Sequence, residues 1–214
     1  MKRYIAVLLW CIQILALETI DGFAQDRSIT RSEFLTFMSR SEEATKKSPY
    51  RKIVTVEIGD APDGIWKPYS SMVDEVIMPD RSHLTYKSGP PREYVRIGKN
   101  IYSKEMNGGW VLTGKEAEGW RVSTASEPIF KGPITEYWIL DPNGKEHTTV
   151  IKVVSRPEMG KADIETRRLF YTYSFDEMGL LRQQTSIGFN GKNWVKSTEN
   201  IEYDASIRIE TPLN

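Results

Sequence analysis

Cysteine is almost missing from these 214 residues: the chain has one, Cys11, and only two histidines, His83 and His147. A single cysteine closes no disulfide within the chain, and this one lies in the leader described below. The remainder therefore has no thiol nucleophile, no thiolate metal ligand and no lipid-modified cysteine. Neither histidine falls in an H-x-x-x-H or H-E-x-x-H spacing, so a helical zinc site has no ligands. There is no Gly-x-Ser-x-Gly elbow and no glycine-rich phosphate loop. Net charge is also absent, since 29 basic residues face 29 acidic ones. That balance argues against nucleic-acid binding, which rests on basic excess, and against binding driven mainly by anionic headgroups. No apolar run reaches the ~20 residues a bilayer-spanning helix needs.

The longest such run, Tyr4 to Leu17, has another reading. Lys2 and Arg3 precede it and Gly22-Phe23-Ala24 follows, which is the charged start, apolar middle and small-residue cleavage site of a secretory signal peptide. Cleavage after Ala24 is expected, with a mature chain from Gln25 to Asn214 in the periplasm or medium. The leader holds two of the basic and two of the acidic residues, so the mature chain keeps 27 of each. Its length suits one domain. Without disulfides it must be held by apolar burial, as suits bacterial export.

One segment reads as helix. Thr30-x-x-Glu33 has capping-box spacing, Phe34, Phe37, Met38, Ser41 and Ala44 form one stripe, and Lys46 and Lys47 sit where the helix dipole favours cations. From Arg51 onward the grammar is that of antiparallel strands. Strands are expected at Lys52–Ile58, Met72–Met78, Ser82–Ser88, Arg92–Gly98, Ile101–Glu105, Gly109–Leu112, Ile134–Leu140, His147–Ser155, Arg167–Phe175, Leu180–Phe189, Trp194–Tyr203 and Ile207–Glu210. Turns rich in Asn, Asp and Gly join many of them, for example Gly98-Lys99-Asn100, Asp141-Pro142-Asn143-Gly144 and Asn190-Gly191-Lys192. The fold class is therefore α+β with β dominant: one large meandering sheet and an N-terminal helix packed on it.

One helix ~10 Å wide cannot cover a face of about a dozen strands ~4.8 Å apart. Either the sheet curls and fills its interior with side chains, or it leaves a concave trough for an apolar ligand. Periodicity leaves both open.

Among polar residues, Asp74 and Glu75 point to opposite faces of one strand and cannot act together. His83 reads as a partly exposed packing residue. Asp141, Asn143 and Glu146 lack calcium-loop spacing. Five tryptophans follow the leader. Trp138 is expected in the core, Trp110 and Trp194 in cross-strand packing, and Trp66 and Trp120, in loop-like sequence, at a cavity rim or partner contact.

The strand ending near Pro79-Asp80-Arg81-Ser82-His83, the stretch Arg92-Glu93-Tyr94-Val95-Arg96-Ile97-Gly98-Lys99-Asn100-Ile101-Tyr102-Ser103-Lys104 and the Gly108-Gly109-Trp110 turn, with the leader and single helix, resemble the outer-membrane lipoprotein carrier superfamily. That group is LolA/LolB-like in fold and includes mycobacterial glycolipid-binding lipoproteins. Tyr173-Ser174-Phe175-Asp176-Glu177-Met178-Gly179-Leu180-Leu181 and the closing Ile201-Glu202-Tyr203-Asp204 through Ile207-Arg208-Ile209-Glu210 are similar to its later strands. The resemblance implies an unclosed antiparallel barrel whose hollow face shelters acyl chains. Two departures stand out. Thr113–Pro133 offers only Lys115-Glu116-Ala117-Glu118 where such carriers keep lid helices, so the lid is a loop or missing. Pro79-Asp80-Arg81 also differs in order from the carriers' lid-latching Arg-Pro, so Arg81 is read first as a surface salt bridge.

The resulting expectation is an exported, non-catalytic carrier or sensor of acyl chains of a lipid or lipoprotein, with no cofactor and no metal. The alternative is an envelope protein-interaction module using the same sheet. Alternation and resemblance together place Val95, Ile97, Tyr171 and Tyr173 inward, with Met78 and Leu84 near a rim. Trp66, Trp120 and Arg81 are the rim or partner candidates.

Overall fold

In the computed structural model, residues 26–89, 92–115, 134–140, 149–155 and 169–212 are described. The leader, Trp120, His147, the Asp141–Gly144 turn and most of the lid region lie outside them. A helix, α1 (Arg31–Lys47), and twelve strands make up the fold: β1 (Arg27–Ser28), β2 (Tyr50–Gly59), β3 (Lys67–Ile77), β4 (Arg81–Tyr86), β5 (Arg92–Ile97), β6 (Asn100–Lys104), β7 (Trp110–Lys115), β8 (Ile134–Leu140), β9 (Thr149–Ser155), β10 (Leu169–Phe175), β11 (Leu181–Phe189) and β12 (Trp194–Tyr203). Among the described residues, no helix is long and apolar enough to cross a membrane.

The strands form one sheet in the order β1-β8-β9-β10-β11-β12-β2-β3-β4-β5-β6-β7, antiparallel throughout. The sheet curls without closing, and β1 and β7 are its two edges. Eleven of the expected strands are present, displaced by a few residues at their ends. The twelfth is not: Ile207–Glu210 pairs with no strand. Its alternating apolar residues serve a different purpose, described below.

Helix α1 starts as its sequence requires. Thr30 Oγ1 accepts from the Glu33 amide at 3.2 Å, and the Glu33 carboxylate accepts from the Thr30 amide at 2.8 Å. The reciprocal pair satisfies two amides that a helix start otherwise leaves open. Its buried stripe is Phe34, Met38, Ser41 and Thr45. Phe34 lies with its ring centroid 5.2 Å from both Tyr137 and Tyr173. Around it are Tyr50, Val76, Ile151, Val153, Phe175, Leu181 and Ile201, side chains from six strands. Ser41 fixes the other end of the packing. Its hydroxyl donates to the Gly179 carbonyl at 3.2 Å and accepts from the Leu181 amide at 2.8 Å, which hooks the helix to the β10–β11 turn. Gly179 takes φ +74° there, a conformation that costs a side-chain-bearing residue energy.

Because residues directly opposite in antiparallel register share a face, the pairings define two surfaces. The inward face carries Tyr203, Tyr50, Val76, Ser82 and Arg96 in one row across the strands. Next to it run Ile201, Lys52, Asp74, Leu84 and Tyr94, then Tyr173, Gln184, Glu199, Val54, Met72 and Tyr86. The outward face carries Arg51, Glu75, His83, Val95 and Tyr102.

Those rows correct the expected orientation of β5. Val95 and Ile97 point outward, away from Tyr171 and Tyr173. They are covered there by the C-terminal segment, whose Ile207 and Ile209 are buried against Val95 with Ile77, Ile97, Tyr102 and Trp110 around them. A turn at Asp204, whose carboxylate accepts from the Ser206 amide at 2.8 Å, directs the segment onto that face. Arg81 Nη1 then donates to the Ile209 carbonyl at 3.1 Å. The sheet thus buries apolar residues on both sides, so alternation within β5 shows that two faces differ without showing which one turns inward.

Candidate functional site

The inward face divides into a covered part and a half-open part. Under α1, Tyr173 is fully buried and Met78 packs against the same cluster, so both belong to the core and not to a rim. Tyr171 is half-buried at the border of that cluster. Beyond the helix, Val56, Ile58, Met72, Leu84 and Tyr94 face inward, are half-buried, and belong to neither packed core. Tyr86 meets Tyr94 edge to face at 6.3 Å. Of the six expected lining residues, Leu84 and Tyr171 therefore lie on the open inward surface, Met78 and Tyr173 beneath the helix, and Val95 and Ile97 on the far side.

Polar groups interrupt this surface. Lys52 Nζ lies 3.7 Å from Asp74 Oδ2, with both side chains about one-fifth exposed. Asp74 Oδ1 is buried and has no hydrogen-bond partner among the described residues. Burial pushes the Asp74 carboxyl above its ordinary value, aided by Glu199 and opposed by Lys52 and Arg96. Burial likewise raises the Tyr50 and Tyr173 hydroxyls, and the Tyr203 hydroxyl to about 12. The Tyr173 and Tyr203 hydroxyls are buried without a hydrogen-bond partner among the described residues. Buried donors and acceptors left unpaired cost about 1–3 kcal/mol each, so such a surface favours a ligand that brings polar atoms along with apolar ones. Residue-by-residue reading missed this polar cluster because Lys52, Asp74 and Glu199 lie far apart in sequence and come near one another only through register, on adjacent rows.

A pH measurement tests the state of Asp74. Because its folded-state value is raised, the native chain holds that proton more firmly than the unfolded chain, whose carboxyl titrates near 3.8. Ionisation therefore lowers stability as pH rises from about 3.8 through the folded-state value, and the loss is constant above it. Asp74→Asn removes this slope; its lost contact with Lys52 does not vary in the same window, where lysine stays charged. Denaturant unfolding across pH should show wild-type stability falling relative to Asp74→Asn as pH increases. A parallel pair of profiles would show that Asp74 is not desolvated.

The opposite faces of Asp74 and Glu75 agree with expectation. Glu75 Oε1 accepts from Nε and Nη2 of Arg51 at 3.0 and 2.7 Å on the outward side. His83 is more than a packing residue: its Nε2 lies 2.8 Å from Glu93 Oε1 and its Nδ1 3.6 Å from Glu75 Oε2. Burial alone would raise Glu93, but its hydrogen bonds with Lys104 and His83 hold it below the usual carboxylate value. Among the described residues, no group of three or more His, Cys, Asp or Glu side chains could hold a metal ion.

Of the tryptophans, Trp110 and Trp194 pack across strands as expected, and Trp138 departs from expectation. Trp138 is half-buried on the outward side of β8, opposite Lys152, and is not in the core. Trp194 is buried against Phe189 at 5.7 Å, and Trp110 joins the outward cluster with Lys104 Nζ 5.6 Å from its ring centre. Trp66 folds over Gly59, where a Cβ would come within 3.2 Å of its ring, and Lys196 Nζ lies 5.7 Å from its ring centre. That is the outward side of the sheet end. Arg81 holds the chain's own C-terminal segment. An open pocket of about 490 Å³ near the β2–β3 bulge is lined by Thr55, Glu57 and Ser71, which face outward, and also by Val56 and Ser70, which face inward.

An open, curled antiparallel sheet with one helix laid on its inner face defines the class of this protein as an unclosed barrel with a partly covered hollow. Solved structures of similar fold include LprF from Mycobacterium bovis, at 15% identity over 88% of this chain and 100% of that one, with a TM-score of 0.48. The Mycobacterium tuberculosis lipoprotein LppX is similar at 16% identity over 85% and 100%, with a TM-score of 0.48. MucB, solved in complex with MucA from Pseudomonas aeruginosa, is similar at 13% identity over 81% of this chain and 58% of that one, with a TM-score of 0.43. These likenesses, each under 25% identical, concern the fold alone. No protein-family model and no curated protein sequence matches the chain.

Proposed function

We propose that the chain is an exported, non-catalytic carrier or sensor that takes acyl chains of a lipid or lipoprotein onto the inward face of its sheet. The observation that carries this reading is the set of inward, half-buried apolar side chains, Val56, Met72, Leu84 and Tyr94 on adjacent rows, that belong to neither packed core. Clustered apolar side chains on a concave surface are the usual lining of a small-molecule site. The polar groups beside them, Asp74 Oδ1 and the Lys52 ammonium that faces the same carboxylate, favour an amphiphile over a plain hydrocarbon. They also give the alternative its one support, since a protein segment in an envelope assembly would bring hydrogen-bonding groups to the same place.

Mass spectrometry of solvent extracts from the natively purified protein separates the two. Acyl-bearing species recovered in stoichiometric amount are expected. Extracts free of lipid from a protein that also refuses added lipid would leave the interaction module as the reading.

A further inference from the structure

Six large apolar side chains are strongly exposed among the described residues, and their positions are not scattered. Strand β2 runs from Tyr50 to Gly59, and the antiparallel order places the β2–β3, β4–β5, β6–β7 and β11–β12 hairpins at the same end of the sheet as Gly59. At that end lie Ile65 (84% exposed), Tyr69 (68%), Phe189 (37%) and Met106, which is fully exposed. Leu112 lies within β7, and among the described residues Met178 is the one at the Tyr50 end. Isolated exposed apolar residues need no explanation, but four at one end do: Phe189 is on β11–β12, Ile65 and Tyr69 are on the adjacent β2–β3 hairpin, and Met106 is on β6–β7, beyond β4–β5.

We infer that the Gly59 end of the sheet docks on a lipid bilayer, with the hairpin tips at Ile65, Met106 and Phe189 entering the interface. Neighbouring hairpins at this end are two strand spacings apart, about 10 Å. They present separate apolar tips and not a continuous groove, an arrangement a soft bilayer interface accepts without matched pockets. Exposed Lys67, Lys87, Arg92 and Lys192 surround the tips, where their stems can lie along acyl chains while their ammonium or guanidinium groups reach headgroups. Asp60, Asp63 and Glu105 stand at the same end, so charge is nearly balanced and apolar insertion carries the binding. The inference rests on the proposed function only for its purpose, which is to bring the open inward face to its lipid.

Flotation with vesicles of phosphatidylethanolamine and phosphatidylglycerol tests it. The exported chain is used, with its N-terminus established by sequencing so that residues 1–24 do not contribute. Wild type should float, with little loss on added salt. Ile65→Asp combined with Met106→Asp should lower partitioning about tenfold or more, since each loses the burial of one large side chain. Met178→Asp, at the other end, should float like wild type. All three sites are exposed, and circular dichroism checks that the sheet persists. A wild type that stays in the soluble fraction overturns the inference, including the case in which this end binds a protein instead. Equal losses from Met178→Asp, or none from the double variant, also overturn it. A fluorescent fatty acid in vesicle-free buffer keeps the two readings apart. Flotation without probe uptake counts against the carrier and leaves the docking end standing; uptake without flotation does the reverse.

Discussion

Phe34→Ala should destabilise the protein by about 3–5 kcal/mol, the usual range for removing a large buried ring from a core. The residue is fully buried, and its ring is the only one that touches both Tyr137 of β8 and Tyr173 of β10 among the described ring pairs. Tyr137 and Tyr173 are held by their strands, which limits how far the space can close. Against a typical total of about 5–15 kcal/mol, this is a large fraction. Urea unfolding should show a lower midpoint with an unchanged slope, since the surface exposed on unfolding barely changes. A cost below about 1 kcal/mol would mean that α1 is not anchored as described, and the division of the inward face into covered and open parts would fail with it.

The helix that this experiment probes was plain in the sequence, and the reason is physical. Thr30 and Glu33 signal its start through a local hydrogen-bond exchange, and the stripe at Phe34, Met38 and Ser41 repeats with helical period. The strands were equally legible, because their alternation and turn residues are also local. What could not be read is which strand face meets which partner. In β5, Val95 and Ile97 alternate with Tyr94 and Arg96, and both sets contain large side chains. Only the covering segment at Ile207 and Ile209 decides that Val95 and Ile97 belong outside, and that contact joins residues more than a hundred positions apart.

The same limit explains the misreading of Ile207–Glu210. Alternating Ile207 and Ile209 look like a strand because one side of the segment is buried and the other exposed. A chain laid flat across an apolar sheet face has that pattern too. Arg81 supplies the distinguishing contact by donating to the Ile209 carbonyl, a role that its position beside the Pro79-Asp80 turn does not announce. Lys52, Asp74 and Glu199 were hidden for a related reason. Each reads as an ordinary solvated charge until register sets them beside one another on the inward face.

Two features of that face bear on what it binds. Leu84 stands between Asp74 on β3 and Tyr94 on β5, so an acyl chain lying there would touch apolar carbon with an unpaired carboxylate oxygen close by. Tyr171 stands at the border of the helix-covered core. A ligand spanning from one to the other would cross the middle of the sheet and the row in which Val54 pairs with Met72.

Titration with a fluorescent fatty acid, comparing wild type with Leu84→Ala and Val73→Ala, tests the inward-face site most directly. The two residues lie on neighbouring strands and face opposite ways: Leu84 is opposite Asp74 on the inward side, and Val73 pairs with Ile53 and Thr85 on the outward side. Burial of a leucine-sized side chain is worth about 1.5–3 kcal/mol, so losing most of one contact should weaken binding about tenfold or more. Saturable uptake by wild type, a loss of that size in Leu84→Ala and no change in Val73→Ala are the predicted result. Absence of saturable uptake by wild type, or equal losses in the two variants, would contradict acyl binding on the inward face.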